Sequence, residues 1–286
     1  MLLRSLLRKV RTRQDTSAVL YIDYEMGYQL PKSPECELGN KAVPEGNIGE
    51  IGQFRWLGVL RVHIREKNSY KIALTGLVLV NDKYAVAIAA DIVSIPRHVF
   101  RENSKAYFIA QNGQSWSCKP KSYTAHPEFE YSTYVTIALI ELDINEASDS
   151  PLEPICWPSY SFNTSNYLYA LGYTDEHMLL EKVIYKIQFV NRSLCDEFYH
   201  RAEPQSSKYS VPVHFQCGYA MNNKANCVWE NGMVLASNST GRWTLIGFGI
   251  RGPGCAGPAR FIDMSRYLPW IESTTDQDQV PAYEYP

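Results

Sequence analysis

Cys227-Val-Trp-Glu-Asn-Gly-Met-Val-Leu235, then Gly241-Arg-Trp-Thr-Leu-Ile-Gly-Phe-Gly249, Gly252-Pro-Gly-Cys255 and Arg260-Phe-Ile-Asp-Met-Ser-Arg-Tyr-Leu-Pro-Trp-Ile271 form the stretch on which the fold turns. Short runs of Val, Leu, Ile, Phe and Trp, each closed by Gly, Asn or Pro, are the punctuation of strands and tight turns. The same grammar runs upstream. Strands are expected at Trp56–Ile64, Tyr70–Val80, Tyr84–Ala90, Ala106–Ala110, Val135–Leu142, Tyr167–Gly172, Lys182–Val190, Val211–Cys217, Met233–Ala236 and Trp243–Ile250. Helix is scarce, predicted at Arg192–Tyr199 and along the terminal run Phe261–Ile271, whose apolar residues roughly follow a helical period. Many short strands without intervening helices predict an all-β fold of antiparallel barrels or sandwiches.

Composition narrows the function classes. The 286 residues are 45% hydrophobic and 20% charged, enough for a packed core, and the net charge of −2 supplies no field that draws a chain to nucleic acid. No apolar run approaches the roughly 18 residues of a spanning helix, so no membrane span is expected. Six scattered histidines without HExxH, and seven cysteines without close-spaced pairs, predict neither a metal site nor a cofactor. Gly247-Phe-Gly249-Ile-Arg-Gly252 matches GxGxxG, but Pro253 and Pro258 prevent the helix that would carry a pyrophosphate. No GxSxG elbow appears. Sequons at Asn163, Asn191 and Asn238, with the cysteines, point to an oxidising, extracellular compartment. The basic start through Arg4, Arg8 and Lys9 forms no signal-peptide core, and Met1 is read as a misassigned start.

The ordered series from Cys217-Gly-Tyr through Ile271 resembles the carboxy-terminal half of trypsin-like (chymotrypsin-like) serine peptidases, particularly arthropod serine protease homologues. Gly52-Gln-Phe-Arg-Trp56 looks like the opening of the mature domain. Leu74-Thr-Gly-Leu-Val-Leu-Val80 and Tyr84 to Asp91 resemble the first-barrel strands leading to the catalytic histidine, and His126-Pro127 and Thr136-Ile-Ala-Leu-Ile-Glu-Leu142 continue the order. The resemblance implies two antiparallel β-barrels with a carboxy-terminal helix. It also implies an extension over 1–42, a peptidase-like domain over 43–274 and a polar tail over 275–286.

In that family a serine attacks the peptide carbonyl, a histidine carries its proton, an aspartate orients the imidazole, and backbone N–H groups hold the oxyanion. Each matching position differs here. Asp91 stands at the histidine's place, and a carboxylate with an ordinary pKa of about 3.9 does not relay a proton near neutrality. Thr136 stands for the orienting aspartate, Asn231 for the nucleophilic serine and Trp229 for the oxyanion-hole glycine. Ala225 occupies the primary-pocket position six residues before the nucleophile, and Ile250-Arg251-Gly252 replaces the edge that pairs with substrate backbone, where a peptide could still add as a strand. Glu230 replaces the aspartate that receives the freed amino terminus, and no basic residue immediately precedes Val43.

Carried over by position, the resemblance implies bridges Cys36–Cys156, Cys195–Cys217 and Cys227–Cys255. The histidine-loop bridge is replaced at both ends, by Thr75 and Ile92, and Cys118 is left over, either paired with another chain or, the favoured reading, a free thiol partly buried beside Trp116. The expectation is a non-catalytic homologue that binds a protease, zymogen or inhibitor in an extracellular cascade such as those of innate immunity. The competing expectations are an active serine endopeptidase with an unrecognised catalytic arrangement, and a lectin-like or structural module.

Overall fold

The computed structural model describes residues 36, 54–66, 69–109, 115–130, 134–144, 150–157, 168–174, 181–202, 212, 214–221, 232–250 and 254–276. Strands β1 (Leu57–Glu66), β2 (Ser69–Leu79), β3 (Tyr84–Ile88), β4 (Ser104–Ile109), β5 (Ser115–Cys118), β6 (Pro120–Ala125) and β7 (Ile137–Leu142) form one antiparallel sheet. Its order is β5-β4-β1-β2-β3-β7-β6, a half-barrel. Strands β8 (Leu168–Thr174), β9 (Glu181–Val190), β10 (Phe215–Ala220), β11 (Val234–Ser237), β12 (Thr244–Gly249) and β13 (Ala259–Asp263) close into a barrel in the order β10-β13-β12-β11-β8-β9. The expected all-β, trypsin-like architecture is present, with a closed second barrel and a carboxy-terminal helix.

Central strands are buried on both faces, which is why Tyr84-Ala-Val-Ala-Ile88 and Thr244-Leu-Ile-Gly-Phe-Gly249 read as continuous apolar runs. β1 begins the same way and then alternates: Leu60 and Val62 enter the core while His63 and Arg65 are exposed.

One core serves both sheets. Trp243, just before β12, packs edge-on against Phe54 with ring centres 4.9 Å apart and lies 6.3 Å from Trp56, both just before β1, and 5.8 Å from Tyr169 of β8. The segment 150–157 stitches the halves together: the Ile155 N–H donates to Leu79 O (3.0 Å), and Cys156 exchanges backbone bonds with Trp243 O (2.9 Å) and the Leu245 N–H (2.8 Å). The Tyr173 hydroxyl donates to Leu57 O at 3.1 Å.

Several local expectations are corrected. The strand expected to run to Ala90 stops at Ile88, and Ala89–Ile92 is a helical turn, α1, followed by α2 (Arg97–Asn103). The strand expected at Val211–Cys217 is β10, four residues later at its start. Phe261 and Ile262 are not helical. They lie in β13, paired to β10 and β12, and the chain makes a 3₁₀ turn at Met264–Arg266 before α4 (Leu268–Asp276). Strand pairing on two sides outweighs a helical spacing of apolar residues. The helix expected at Arg192–Tyr199 is α3 (Arg192–Ala202). The extension over 1–42, Cys36 apart, and the tail from 277 lie outside the described residues.

Candidate functional site

The site is assembled from three places in the chain. Asp91 sits in α1, half-buried, delivered by the fully buried β3. Thr136 precedes β7 and is 0% exposed. Its Oγ1 accepts the Ala90 N–H at 3.0 Å and its carbonyl accepts the Ala89 N–H at 3.3 Å, so α1 is held from both atoms. Val135, just before it, has φ +44, a left-handed conformation costly for a β-branched residue. The Ile137 N–H closes back on Val135 O at 2.8 Å, and that turn directs Thr136 inward.

The third place is reached through Gly232. Gly232 has φ +79, and its N–H donates to Gly249 O at 3.1 Å. A Cβ built on Gly76 of β2 would stand 2.1 Å from Gly232 O, and one on Gly232 would stand 2.7 Å from Gly76 N. The half-barrel and the barrel therefore meet backbone to backbone at two glycines, a contact no other residue permits. Sequence reading missed this pair. Its one signal was a glycine in the middle of the strand run Leu74–Val80.

Asn231, Trp229, Glu230, Ala225 and Cys227, and the Arg251–Gly252 edge, lie outside the described residues, as do Val43 and Asn163. Ile250 is buried, with its N–H on Arg260 O at 3.1 Å.

None of the five described histidines hydrogen-bonds to a serine, threonine or cysteine. His63, His98, His200 and His214 are exposed. His126 is packed against the carboxy-terminal helix, its ring 4.9 Å from Trp270 and 5.4 Å from Tyr267, and its Nδ1 accepts the Glu128 N–H at 3.2 Å. Burial lowers its pKa, partly opposed by Glu128. The neighbouring Tyr267 hydroxyl, pushed up to about 12 by burial and by nearby Glu128, Asp263 and Tyr134, has no hydrogen-bond partner among the described residues. This cluster anchors a helix; it is not arranged around a nucleophile.

Disulfides join Cys36 to Cys156 across 120 residues and Cys195 to Cys217 across 22. Cys255 is also disulfide-bonded; its expected partner Cys227 falls outside the described residues. On the chain-entropy scale such loops are worth roughly 3–5 kcal/mol each. Cys118 is free and buried on β5, and burial followed by Asp143 pushes its thiol up to about 12, leaving it protonated and unreactive. Thr75 and Ile92 are both buried, and the Thr75 hydroxyl has no hydrogen-bond partner among the described residues.

Two sequons are described. Asn191 is exposed ahead of α3, where its Oδ1 accepts the Ser193 N–H at 2.9 Å. Asn238 starts the β11–β12 turn, its carbonyl accepting the Gly241 N–H at 3.1 Å. Among the described residues no group of His, Cys, Asp and Glu is placed to hold a metal, and no helix is long and apolar enough to cross a membrane.

A closed six-stranded barrel meeting a half-barrel at a glycine pair, with a short helical turn after β3 and a carboxy-terminal helix, defines the class. The trypsin family profile matches residues 44–271, and the chain belongs to that family. It is also similar to the protein named serine protease filzig of Drosophila melanogaster, 26% identical over 166 residues. That alignment takes in 54% of this chain and 10% of the fly protein, so the chain spans only a small part of that relative.

Proposed function

We propose that this chain is a non-catalytic member of the trypsin family that acts by binding, in an extracellular proteolytic cascade, to a protease, zymogen or inhibitor. The observation that carries the reading is the pairing of Thr136 with α1. On this reading the position that would orient the general base holds a neutral hydroxyl, spent on the Ala90 N–H, and the base position holds Asp91 of α1. Neither group is an imidazole, and the neutral Thr136 hydroxyl carries no charge with which to orient one. Triad members act as a unit worth about 10⁶ in turnover, so loss of the base and its partner suffices to silence the chemistry even before Asn231 and Trp229 are counted. Two disulfides, Cys36–Cys156 and Cys195–Cys217, and the disulfide-bonded Cys255 support an extracellular setting.

A fluorophosphonate probe tests the absence of catalysis. The expected outcome is no labelling of the folded protein and no hydrolysis of peptide substrates, beside a trypsin control that labels fully. Stoichiometric labelling at any serine would overturn the proposal in favour of an active endopeptidase with a different arrangement.

A further inference from the structure

The half-barrel carries a charge pattern that the cleft does not use. From Phe54 to Val80 and from Ser104 to Pro127 the chain holds eight Lys and Arg and a single acid, Glu66, although its net charge is −2. Two of these bases are neutralised: Arg55 pairs with Glu153, and Lys121 lies between Glu141 and Asp143. Others share one face. Arg61, His63 and Arg65 alternate along β1 on the side away from Leu60 and Val62. Register sets Arg61 directly opposite Lys105 of β4 and Leu74 of β2, and His63 opposite Ile72.

Among the described residues these cations meet no acid. The Arg61 guanidinium and the Lys105 ammonium both lie over the Tyr107 ring, 5.4 Å and 5.2 Å from its centre. Arg61 Nε has no hydrogen-bond partner, and no carboxylate pairs with Arg61, Arg65 or Lys105, among the described residues. Like charges directly opposite across a sheet are unfavourable, and a ring face shared by two cations offsets this only in part. Beside them Ile72 is 47% exposed, a large apolar side chain in the open on the same face.

We propose that the outer face of β1, β2 and β4 is a docking surface for an acidic peptide segment of a partner protein, its carboxylates meeting Arg61, Arg65 and Lys105 and its apolar side chains covering Ile72 and Leu74. Charge complementarity selects the sign of the partner. The apolar neighbours select a peptide over a sulfated polysaccharide, which has carbohydrate rather than hydrocarbon to set against Ile72. From Arg61 to Arg65 the strand runs about 14 Å, the length of four or five extended residues. The proposal goes beyond the non-catalytic reading and does not rest on it; a fluorophosphonate result of either kind leaves it untouched.

The test measures fluorescence anisotropy of a labelled peptide of repeated Glu-Ile-Glu-Tyr with the full chain at low salt. A Gln-Ile-Gln-Tyr peptide and a heparin oligosaccharide serve as comparisons. The glutamate peptide is expected to bind at least about tenfold tighter than the glutamine peptide, and to weaken as salt shortens the Debye length. Lys105→Glu and Arg65→Glu should each lower affinity by up to about fivefold, and the pair by tenfold or more, with unchanged melting. Arg65 is exposed, so Arg65→Glu carries the test even if a change at Arg61 or Lys105 disturbs folding. Arg201→Glu on α3, also exposed, should change nothing. Equal binding of the two peptides, no peptide binding, wild-type affinity in the reversals, or binding of the oligosaccharide alone would each overturn the proposal.

Discussion

If Thr136 stands where the family has its orienting acid, as proposed, Thr136→Asp puts an acid there without a base beside it, at a cost set by the surroundings of Thr136. Thr136 is 0% exposed and receives one side-chain hydrogen bond, from the Ala90 N–H at 3.0 Å. A carboxylate there would keep that donor and gain about 1 kcal/mol from the charged hydrogen bond. It would also be a buried charge with no cation paired to it among the described residues, and Ala90, whose N–H it would accept, is the neighbour of Asp91 in α1; an uncompensated buried charge costs about 3–5 kcal/mol. The net is a loss of about 2–4 kcal/mol at neutral pH, or on the order of 10 °C in melting temperature.

Desolvation would raise the new carboxyl above its unfolded value of about 3.9, so the folded state would hold its proton to higher pH than the unfolded chain does. The deficit should therefore vanish at acid pH, open as pH rises through about 4, and level off above the raised folded value. Adding Asp91→His supplies an imidazole to share that proton and should recover at least about 1 kcal/mol, a coupling seen as non-additivity in a double-mutant cycle. Thermal melts of the four proteins across pH measure all of this. A Thr136→Asp protein that melts with the wild type at neutral pH, or strict additivity in the cycle, would refute the account of the site.

Three further outcomes follow from other contacts. Gly76→Ala pushes a Cβ to 2.1 Å from Gly232 O, backbone against backbone, and should destabilise by about 1–3 kcal/mol or more in urea melts. Thr75→Val removes a buried hydroxyl that has no hydrogen-bond partner among the described residues while keeping its shape, and should raise the melting temperature by ~2–4 °C. His126 is held below its unfolded value, near 6.5, chiefly by burial, so its stabilising contribution is complete above about pH 6.5 and is lost progressively below it. Between about pH 7 and pH 5 the wild type should therefore lose stability faster than His126→Gln, in melts followed by near-ultraviolet circular dichroism.

The amino-acid order alone determined the fold class, and it singled out Asp91, Thr136 and Asn231 as the positions on which the proposal of a substituted triad rests. Alternating and continuous apolar runs are local properties that strands impose on sequence, and they were readable at β1, β2, β7, β9 and β12. Where polarity hides the pattern, as in Ser115–Cys118 and Pro120–Ala125, strands escaped notice because only pairing to β4 and β7 makes them strands. Phe261 and Ile262 were misread for the same reason, since helical spacing was present but two neighbouring strands were waiting. Tertiary structure alone decided how Thr136 is used, that Gly76 and Gly232 touch, and that Arg61 and Lys105 stack on one ring. Those contacts join residues dozens of positions apart, and sequence periodicity carries no information about which distant strand a residue will face.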